Sequence, residues 1–282
     1  MQVEVNGTRL WFDVDGPSLV PKGSSMSARP TIVLVHGGPG TWDHSYFKPH
    51  FGQLRDVAQV VYVDLRDHGR SDRGDPRAWS FDVCADDLRA FCDALGIERP
   101  VVLGHSMGGF VVMRYGARHP GHAGGLILLS TMGRFDLEQL TKGFREAAGD
   151  EVAALARRDY DLDPVSDEEW ARVFATFGPN VPDPETLARR TRNREVAEVG
   201  MALMRRFDTI DDLAAVASPT LVCVGDLDPV TPVTAAREIV DALPPGVGRL
   251  EVITGAGHFP WLDEPKQTWA AIEGFVGGVA AR

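Results

Sequence analysis

The sequence predicts a doubly wound α/β fold, with a mostly parallel central sheet flanked by helices and a helical insertion before its last strands. Three observations carry that reading. Continuous apolar runs such as Thr31-Ile32-Val33-Leu34-Val35 recur along the chain, as strands buried on both faces of a parallel sheet require. Stretches of helical periodicity alternate with those runs, the signature of strand-helix crossovers. From about Gly133 to Val216 the apolar runs stop and only helix signals remain, so residues 1–132 and 217–282 are expected to form one core domain and 133–216 a lid inserted into it.

The chain opens with alternating residues at Val3-Val5 and Leu10-Trp11-Phe12-Asp13-Val14 around Asn6-Gly7, a pair that favours a tight turn and predicts a hairpin. Residues 17–30, rich in Pro, Gly and Ser, predict a polar loop. After 31–35, the runs Val57 to Leu65, Val101 to Leu103, Gly125 to Leu129, Leu221 to Val224 and Leu250 to Ile253 each predict a strand. Residues 81–95 place Val83, Leu88, Phe91, Cys92 and Leu95 at helical spacing, and an apolar helix is expected over 107–118. Within the insertion, Ser166 and Glu169 form a capping box ahead of Trp170, Phe174 and Phe177. Asp183-Pro184 marks a further start, and one helix is expected to run on through Met201, Met204 and Phe207. Most of these aromatics and methionines read as packing residues.

With 44% hydrophobic and 24% charged side chains over 282 residues, the chain has the material for a globular core. Its net charge of −11, with no compensating Lys/Arg stripe, would repel phosphate backbones and anionic lipid, so neither nucleic acid nor membrane is an expected partner. The N-terminus lacks a basic segment followed by an apolar one, and no window nears the ~18 apolar residues of a membrane span, so a cytoplasmic protein is expected. Cys84 and Cys92 lie on one predicted helix, about 12 Å apart along its axis and too far to bridge. No CxxC or HxxxH pair occurs, the three cysteines read as core residues, and no metal or other cofactor is expected.

Gly104-His105-Ser106-Met107-Gly108 falls where the strand at 101–103 must turn into the helix at 107–118. A sharp strand-to-helix turn exposes its central residue and demands small neighbours, which Gly104 and Gly108 supply. Ser106 is therefore a candidate nucleophile. A serine hydroxyl is weak at its own pKa and needs a base, and the base needs an orienting carboxylate. In open parallel sheets such groups collect at the carboxyl ends of strands, where two loops qualify. They are Gly225-Asp226-Leu227-Asp228-Pro229-Val230-Thr231-Pro232 and Gly255-Ala256-Gly257-His258-Phe259-Pro260. The Met107 amide, at a helix start, is a candidate oxyanion donor, and the turn His36-Gly37-Gly38-Pro39-Gly40 is expected to supply the second. Neither glycine pattern of nucleotide-binding loops is present, which disfavours a phosphate cradle.

The chain order of serine, aspartate and histidine on strand ends resembles the α/β-hydrolase superfamily, and the resemblance covers nearly the whole chain. It implies the α/β-hydrolase fold with Ser106 as nucleophile, Asp228 as acid, His258 as base and Gly38 as the second oxyanion donor. Asp226 is the lesser candidate acid, and His105 is expected to point away from the hydroxyl and pack. Asp64-Leu65-Arg66-Asp67-His68-Gly69-Arg70-Ser71 also resembles a family signature and implies a loop-shaping role, although Asp67 stands where the family usually has glycine.

Serine rather than aspartate at the turn disfavours the alkyl-enzyme mechanism of related dehalogenases and epoxide hydrolases, and leaves acyl transfer. The 36–40 turn resembles that of proline iminopeptidases, whereas Met107 and Gly108-Gly109 resemble small-ester hydrolases and serine-type lactonases, including acyl-homoserine lactonases. The expected activity is hydrolysis of a carboxylic ester or lactone. A proline iminopeptidase-like aminopeptidase is the alternative, and a non-catalytic ligand-binding protein that keeps the fold is a third reading. A peptidase must hold a substrate ammonium, for which the lid carboxylates Glu195 and Glu198 are candidates. Trp42 and Trp261 are expected to line an apolar pocket for the acyl group of a small-molecule substrate, in a monomer or homodimer. A metal-dependent lactonase is disfavoured, because Asp64, Asp67 and His68 are too few and wrongly spaced for the cluster such enzymes use.

Overall fold

In the computed structural model, which describes residues 1–163 and 165–281, the chain opens as the antiparallel pair β1 (Gln2–Val5) and β2 (Thr8–Asp15). Asn6 and Gly7 between them take φ 44° and 74°, the positive pair that a two-residue hairpin needs. The loop expected over 17–30 is instead a second hairpin, β3 (Leu19–Lys22) and β4 (Ser25–Ala28), separate from the main sheet. Its strands are mostly exposed, so no alternation of buried and polar residues betrays them in the sequence.

The apolar runs form β5 (Thr31–Val35), β6 (Gln59–Val63), β7 (Val101–His105), β8 (Gly125–Leu129), β9 (Thr220–Gly225) and β10 (Gly248–Ile253). The sheet order is β1-β2-β6-β5-β7-β8-β9-β10, parallel from β6 to β10 and antiparallel at the β1-β2 edge. From β5 the chain winds first toward β6 and later toward β7, so the topological switch point lies between β5 and β7. That is the crevice where such sheets carry their sites.

Helices α1 (Lys48–Phe51), α2 (Phe81–Ala94) and α3 (Met107–Arg118) follow β5, β6 and β7 in turn. The insertion between β8 and β9 holds α4 (Leu137–Tyr160), α5 (Asp167–Phe174), α6 (Pro184–Arg189) and α7 (Arg194–Met204). After β9 come α8 (Val233–Ala242), α9 (Pro260–Asp263) and α10 (Pro265–Ala280). Strand residues alternate between two cores, as the period of two requires. Val33, Val35, Val61, Val63 and Val102 join a cluster with side chains of α2, α3 and α8, while Ile32, Leu34, Val60, Tyr62 and Leu103 face Phe47, Phe51, Trp269 and α10. Cys84, Cys92 and Cys223 are buried, unpaired thiols, and burial pushes Cys92 and Cys223 up to about 12.

The single helix expected from Pro184 through Met204 is two. Arg190 leaves α6 in extended backbone, and the Asn193 side chain caps α7 by accepting the Val196 N–H. The break is tertiary in origin. The Asn193 backbone and side-chain amides donate to the carbonyls of Gly40 and Asp67, and the Thr191 N–H donates to Asp43, so the chain is drawn out across the loop after β5. Phe207 lies beyond α7 and stacks on Phe110 with centroids 4.2 Å apart. Among the described residues no helix is long and apolar enough to cross a membrane.

Leu34 is fully buried at the centre of the sheet. Leu34→Ala is expected to lower the unfolding free energy by about 2–5 kcal/mol, read as a lower urea midpoint at unchanged slope.

Candidate active site

β5 and β7 run level, with Val35 opposite Gly104, so the turns that follow them meet. Ser106, between β7 and α3, takes φ 54° and ψ −124°, a strained backbone for a residue with a Cβ. Its neighbours permit the turn because they lack side chains: a Cβ on Gly104 would lie 2.3 Å from the Gly108 carbonyl oxygen, and one on Gly108 2.3 Å from that of Val35. Three hydrogen bonds hold the strain. The Ser106 N–H donates to the Leu129 carbonyl at 3.0 Å, and the Ser106 carbonyl accepts from the Gly109 N–H and the Thr131 hydroxyl, each at 2.8 Å. The Ser106 hydroxyl itself makes no hydrogen bond among the described residues, and Ser106 lines a cavity.

Asp228 and His258 come from the loops after β9 and β10. Asp228 Oδ1 accepts from the amides of Val230 and Thr231 at 2.8 and 2.9 Å, while Oδ2 accepts from the Thr231 hydroxyl at 2.6 Å and from His258 Nδ1 at 2.9 Å. A carboxylate so engaged only accepts, so Nδ1 carries the proton, and in the neutral imidazole Nε2 is the accepting nitrogen. The His258 N–H is anchored on the Phe177 carbonyl of the insertion at 2.7 Å. Asp226 stands apart from the histidine, its Oδ1 accepting from the Gly255 amide at 2.7 Å.

The glycine turn after β5 is tied down on both sides. The Gly37 N–H donates to the Tyr46 hydroxyl at 2.9 Å, and the Gly40 N–H donates to His68 Nε2 at 2.7 Å. His36 Nδ1 donates to the Gly37 carbonyl at 2.9 Å, and its Nε2 accepts from the Leu65 N–H at 3.2 Å. Two amides are left unengaged. Neither the Gly38 N–H, at φ 50°, nor the Met107 N–H, in the first turn of α3, has a hydrogen-bond partner among the described residues, and both residues line the cavity with Ser106.

Tyr46 links this turn to the others. Its hydroxyl lies 2.9 Å from His105 Nδ1, and His105 Nε2 lies 2.9 Å from the His258 carbonyl oxygen. A carbonyl only accepts, so Nε2 carries the proton. Burial, then the neighbouring His258, holds the His105 pKa well below its ordinary value, so the ring is neutral and Nδ1 accepts from the Tyr46 O–H. Both nitrogens of His105 are thus engaged away from the Ser106 hydroxyl, in a chain that joins three strand-end loops.

The 64–71 loop braces the same turn. Asp64 Oδ1 accepts from the His44 amide and His44 Nδ1 at 2.9 and 2.8 Å, and its Oδ2 accepts from the Arg70 N–H at 2.9 Å. Asp67 adopts φ 66°, supplying without glycine the left-handed angle this loop needs. Asp43, His44 and Asp64 bring possible ligand atoms within 4.8 Å of one another. Every carboxylate oxygen there already accepts from an N–H, those of Asp43 from Ser45 and Thr191, so the cluster braces the turn.

The cavity measures about 590 Å³, within the range of small-molecule sites, and its wall is mainly apolar, with Phe110, Met132, Phe135, Trp170, Met201 and Met204 among its residues. Trp42 lines it. Trp261 does not: the chain has already turned into α9 there, and the ring packs behind the His258 loop, edge-on to His105 at 4.8 Å and to Phe51 at 5.2 Å. Phe259 occupies the wall in its place. Glu198 reaches the rim but pairs with Arg194 at 3.0 Å, and Glu195 lies outside the lining. Charged residues that the sequence did not mark also line the cavity: Asp159, Asp163, Asp167, Arg190 and Arg192. Asp159 has no side-chain partner among the described residues, and burial raises its pKa; Arg190 lies with its guanidinium 4.4 Å from the centre of the Trp42 ring.

Residues 30–265 match the family model described as the alpha/beta hydrolase fold, and the chain belongs to that family. It is a hydrolase by that membership and by its relatives. The chain is 28% identical over 279 residues to the monoacylglycerol lipase of Mycolicibacterium smegmatis, covering 93% of this chain and 90% of that protein. It is 27% identical over 259 residues to the proline iminopeptidase PfmaB of Pestalotiopsis fici, covering 85% of this chain and 88% of that one. Among solved structures, Est816, described as an N-acyl homoserine lactone degrading enzyme, superposes with a TM-score of 0.70 at 25% identity, over 98% of this chain and all of its own.

Tyr46→Phe keeps the ring but removes the acceptor for the buried Gly37 N–H and the donor to His105, so stability is expected to fall by about 1–3 kcal/mol in urea unfolding. A pH dependence follows from the histidines. His36, His68 and His105 are neutral in the fold because burial lowers their pKa values, that of His68 to about 3. An unfolded histidine titrates near pH 6.5 (about), so below that value the unfolded chain binds more protons. The stabilisation from keeping these rings neutral is complete above about pH 6.5 and is lost as pH falls toward the folded values. Urea midpoints should decline from about pH 7.5 to about pH 5, and a flat profile over that window would contradict the assignment.

Proposed function

We propose that this hydrolase cleaves a carboxylic ester or lactone by acyl transfer through Ser106, with His258 as general base and Asp228 as the acid that orients it. The observation that carries the reading is a pair of amides, Gly38 and Met107, on the cavity wall beside the Ser106 hydroxyl, none of which has a hydrogen-bond partner among the described residues. The Gly37 and Gly40 N–H groups of the same turn are directed into the protein, which leaves these two as the donors positioned to meet a developing negative charge.

In the reaction, His258 Nε2 takes the Ser106 proton as Oγ attacks the substrate carbonyl carbon. The carbonyl π electrons move onto oxygen, and the oxyanion accepts from the Gly38 and Met107 N–H groups, with the N-terminus of α3 adding its dipole. Collapse of the tetrahedral intermediate breaks the bond to the alkoxy group, which leaves with the proton returned by His258. A water activated by the same nitrogen then releases the acid and restores Ser106. Asp228 holds Nδ1–H throughout and fixes the tautomer. Residues 133–216 act as the lid, bringing Trp170, Phe177, Met201 and Met204 to the pocket, where an apolar acyl group is accommodated against Trp42.

One observation favours the aminopeptidase alternative: the Asp159 carboxylate, without a side-chain partner among the described residues, could hold a substrate ammonium. Comparing kcat/KM for p-nitrophenyl butyrate, an acyl-homoserine lactone and proline p-nitroanilide separates the two. The ester or the lactone is expected to lead, and Ser106→Ala to lower kcat on the order of a thousandfold or more in a folded protein. Preference for the anilide, with its KM raised selectively by Asp159→Asn, would replace this reading with the aminopeptidase.

A further inference from the structure

Arg190 is a half-buried cation of the pocket wall. Its Nε donates to the Leu187 carbonyl at 3.0 Å, which fixes the guanidinium, yet its two terminal nitrogens have no hydrogen-bond or ion-pair partner among the described residues. The nearby carboxylate of Asp43 is already taken by the amides of Ser45 and Thr191. The guanidinium lies over Trp42, and the Trp42 ring abuts the oxyanion turn, since a Cβ on Gly38 would fall 2.2 Å from it. Arg190 therefore stands one aromatic ring away from the reacting carbonyl. The backbone that carries it is anchored to the core at Thr191 and Asn193, and Arg192, an exposed side chain with no hydrogen-bond or ion-pair partner among the described residues, lines the same cavity.

We propose that Arg190, with Arg192 beside it, is the subsite for an anionic group of the substrate, so that the preferred ester or lactone carries a carboxylate. The inference rests on the acyl-transfer reading of Ser106. A guanidinium with both terminal nitrogens available presents a planar fork that matches a carboxylate in two parallel hydrogen bonds. Partial burial, then the like charge of Arg192, pushes Arg190 down to about 10, the direction expected of a cation that lacks its counter-ion and would gain from one. The acidic residues of the lining do not answer it. Asp163 pairs with Arg158, Glu198 with Arg194, and the first turn of α5 carries Asp167. Burial shifts Asp159 toward its neutral form.

The test uses two aryl esters of similar length, mono-p-nitrophenyl adipate, which carries a carboxylate, and neutral p-nitrophenyl hexanoate. The wild-type protein is expected to favour the adipate monoester in kcat/KM, with the preference shrinking as salt is raised. Arg190→Met retains an apolar stem over Trp42 and removes the charge. It is expected to lower kcat/KM for the adipate monoester about tenfold more than for the hexanoate, mainly through KM, and Arg190→Lys is expected to recover part of the difference. Equal losses on both esters would assign Arg190 to packing on Trp42 and overturn the proposal, as would a wild-type protein that hydrolyses the hexanoate with no preference for the charged ester. Failure to hydrolyse either ester would instead overturn the acyl-transfer reading, and this subsite with it.

Discussion

One hydrogen-bonded chain holds the working edge of this molecule together: the Gly37 N–H donates to the Tyr46 hydroxyl, Tyr46 to His105, and His105 to the His258 carbonyl. These links run from the loop after β5, through the turn after β7, to the loop after β10, which are far apart in sequence. A parallel sheet brings its strand ends to one edge, but it leaves the loops beyond them to find their own positions. The buried, neutral imidazole fixes them. Because its two nitrogens differ, one accepting and one donating, it reads the correct partner on each side and no other arrangement satisfies all four groups.

That economy of donors explains where reactive capacity remains. Buried polar groups are normally paired, so a site that must stabilise a transient charge has to keep some donors back. Here the ties made by Tyr46, His68 and His36 take up neighbouring groups of the glycine turn, and the Gly38 and Met107 amides stay available. The strain at Ser106 follows the same logic, since its positive φ is held by hydrogen bonds on its own N–H and carbonyl. The insertion belongs to this frame as well. Phe177 anchors the His258 loop, and Asn193 anchors the glycine turn, so the insertion that walls the pocket is bonded to the two loops it covers.

The sheet was legible because its strands are buried on both faces and write themselves as unbroken apolar runs; the glycines around Ser106 were legible because sterics at a strand-to-helix turn leave no other choice. Asp228 and His258 were reached through the resemblance of their order along the chain, and the structure brings them within 2.9 Å. Features decided by tertiary contacts were not legible. The β3-β4 hairpin has no buried face, and the break between α6 and α7 exists because Asn193 bonds to Gly40 and to Asp67, the nearer of them 126 positions earlier, a separation no local pattern encodes. Trp261 was placed in the pocket by its nearness to His258 in sequence, yet one helical turn sends its ring into the core. Tyr46, Asp159 and Arg190 carry no local motif, and their significance lies in which neighbours they have and which they lack.

The central claim, that Ser106 is the activated nucleophile of this frame, is tested most directly by covalent labelling of the folded protein with a fluorophosphonate, followed by intact-mass measurement and peptide mapping. A single adduct on Ser106, absent in Ser106→Ala and formed much more slowly in His258→Ala, is the result expected. A folded protein that acquires no adduct, or acquires it on another residue, would contradict the account.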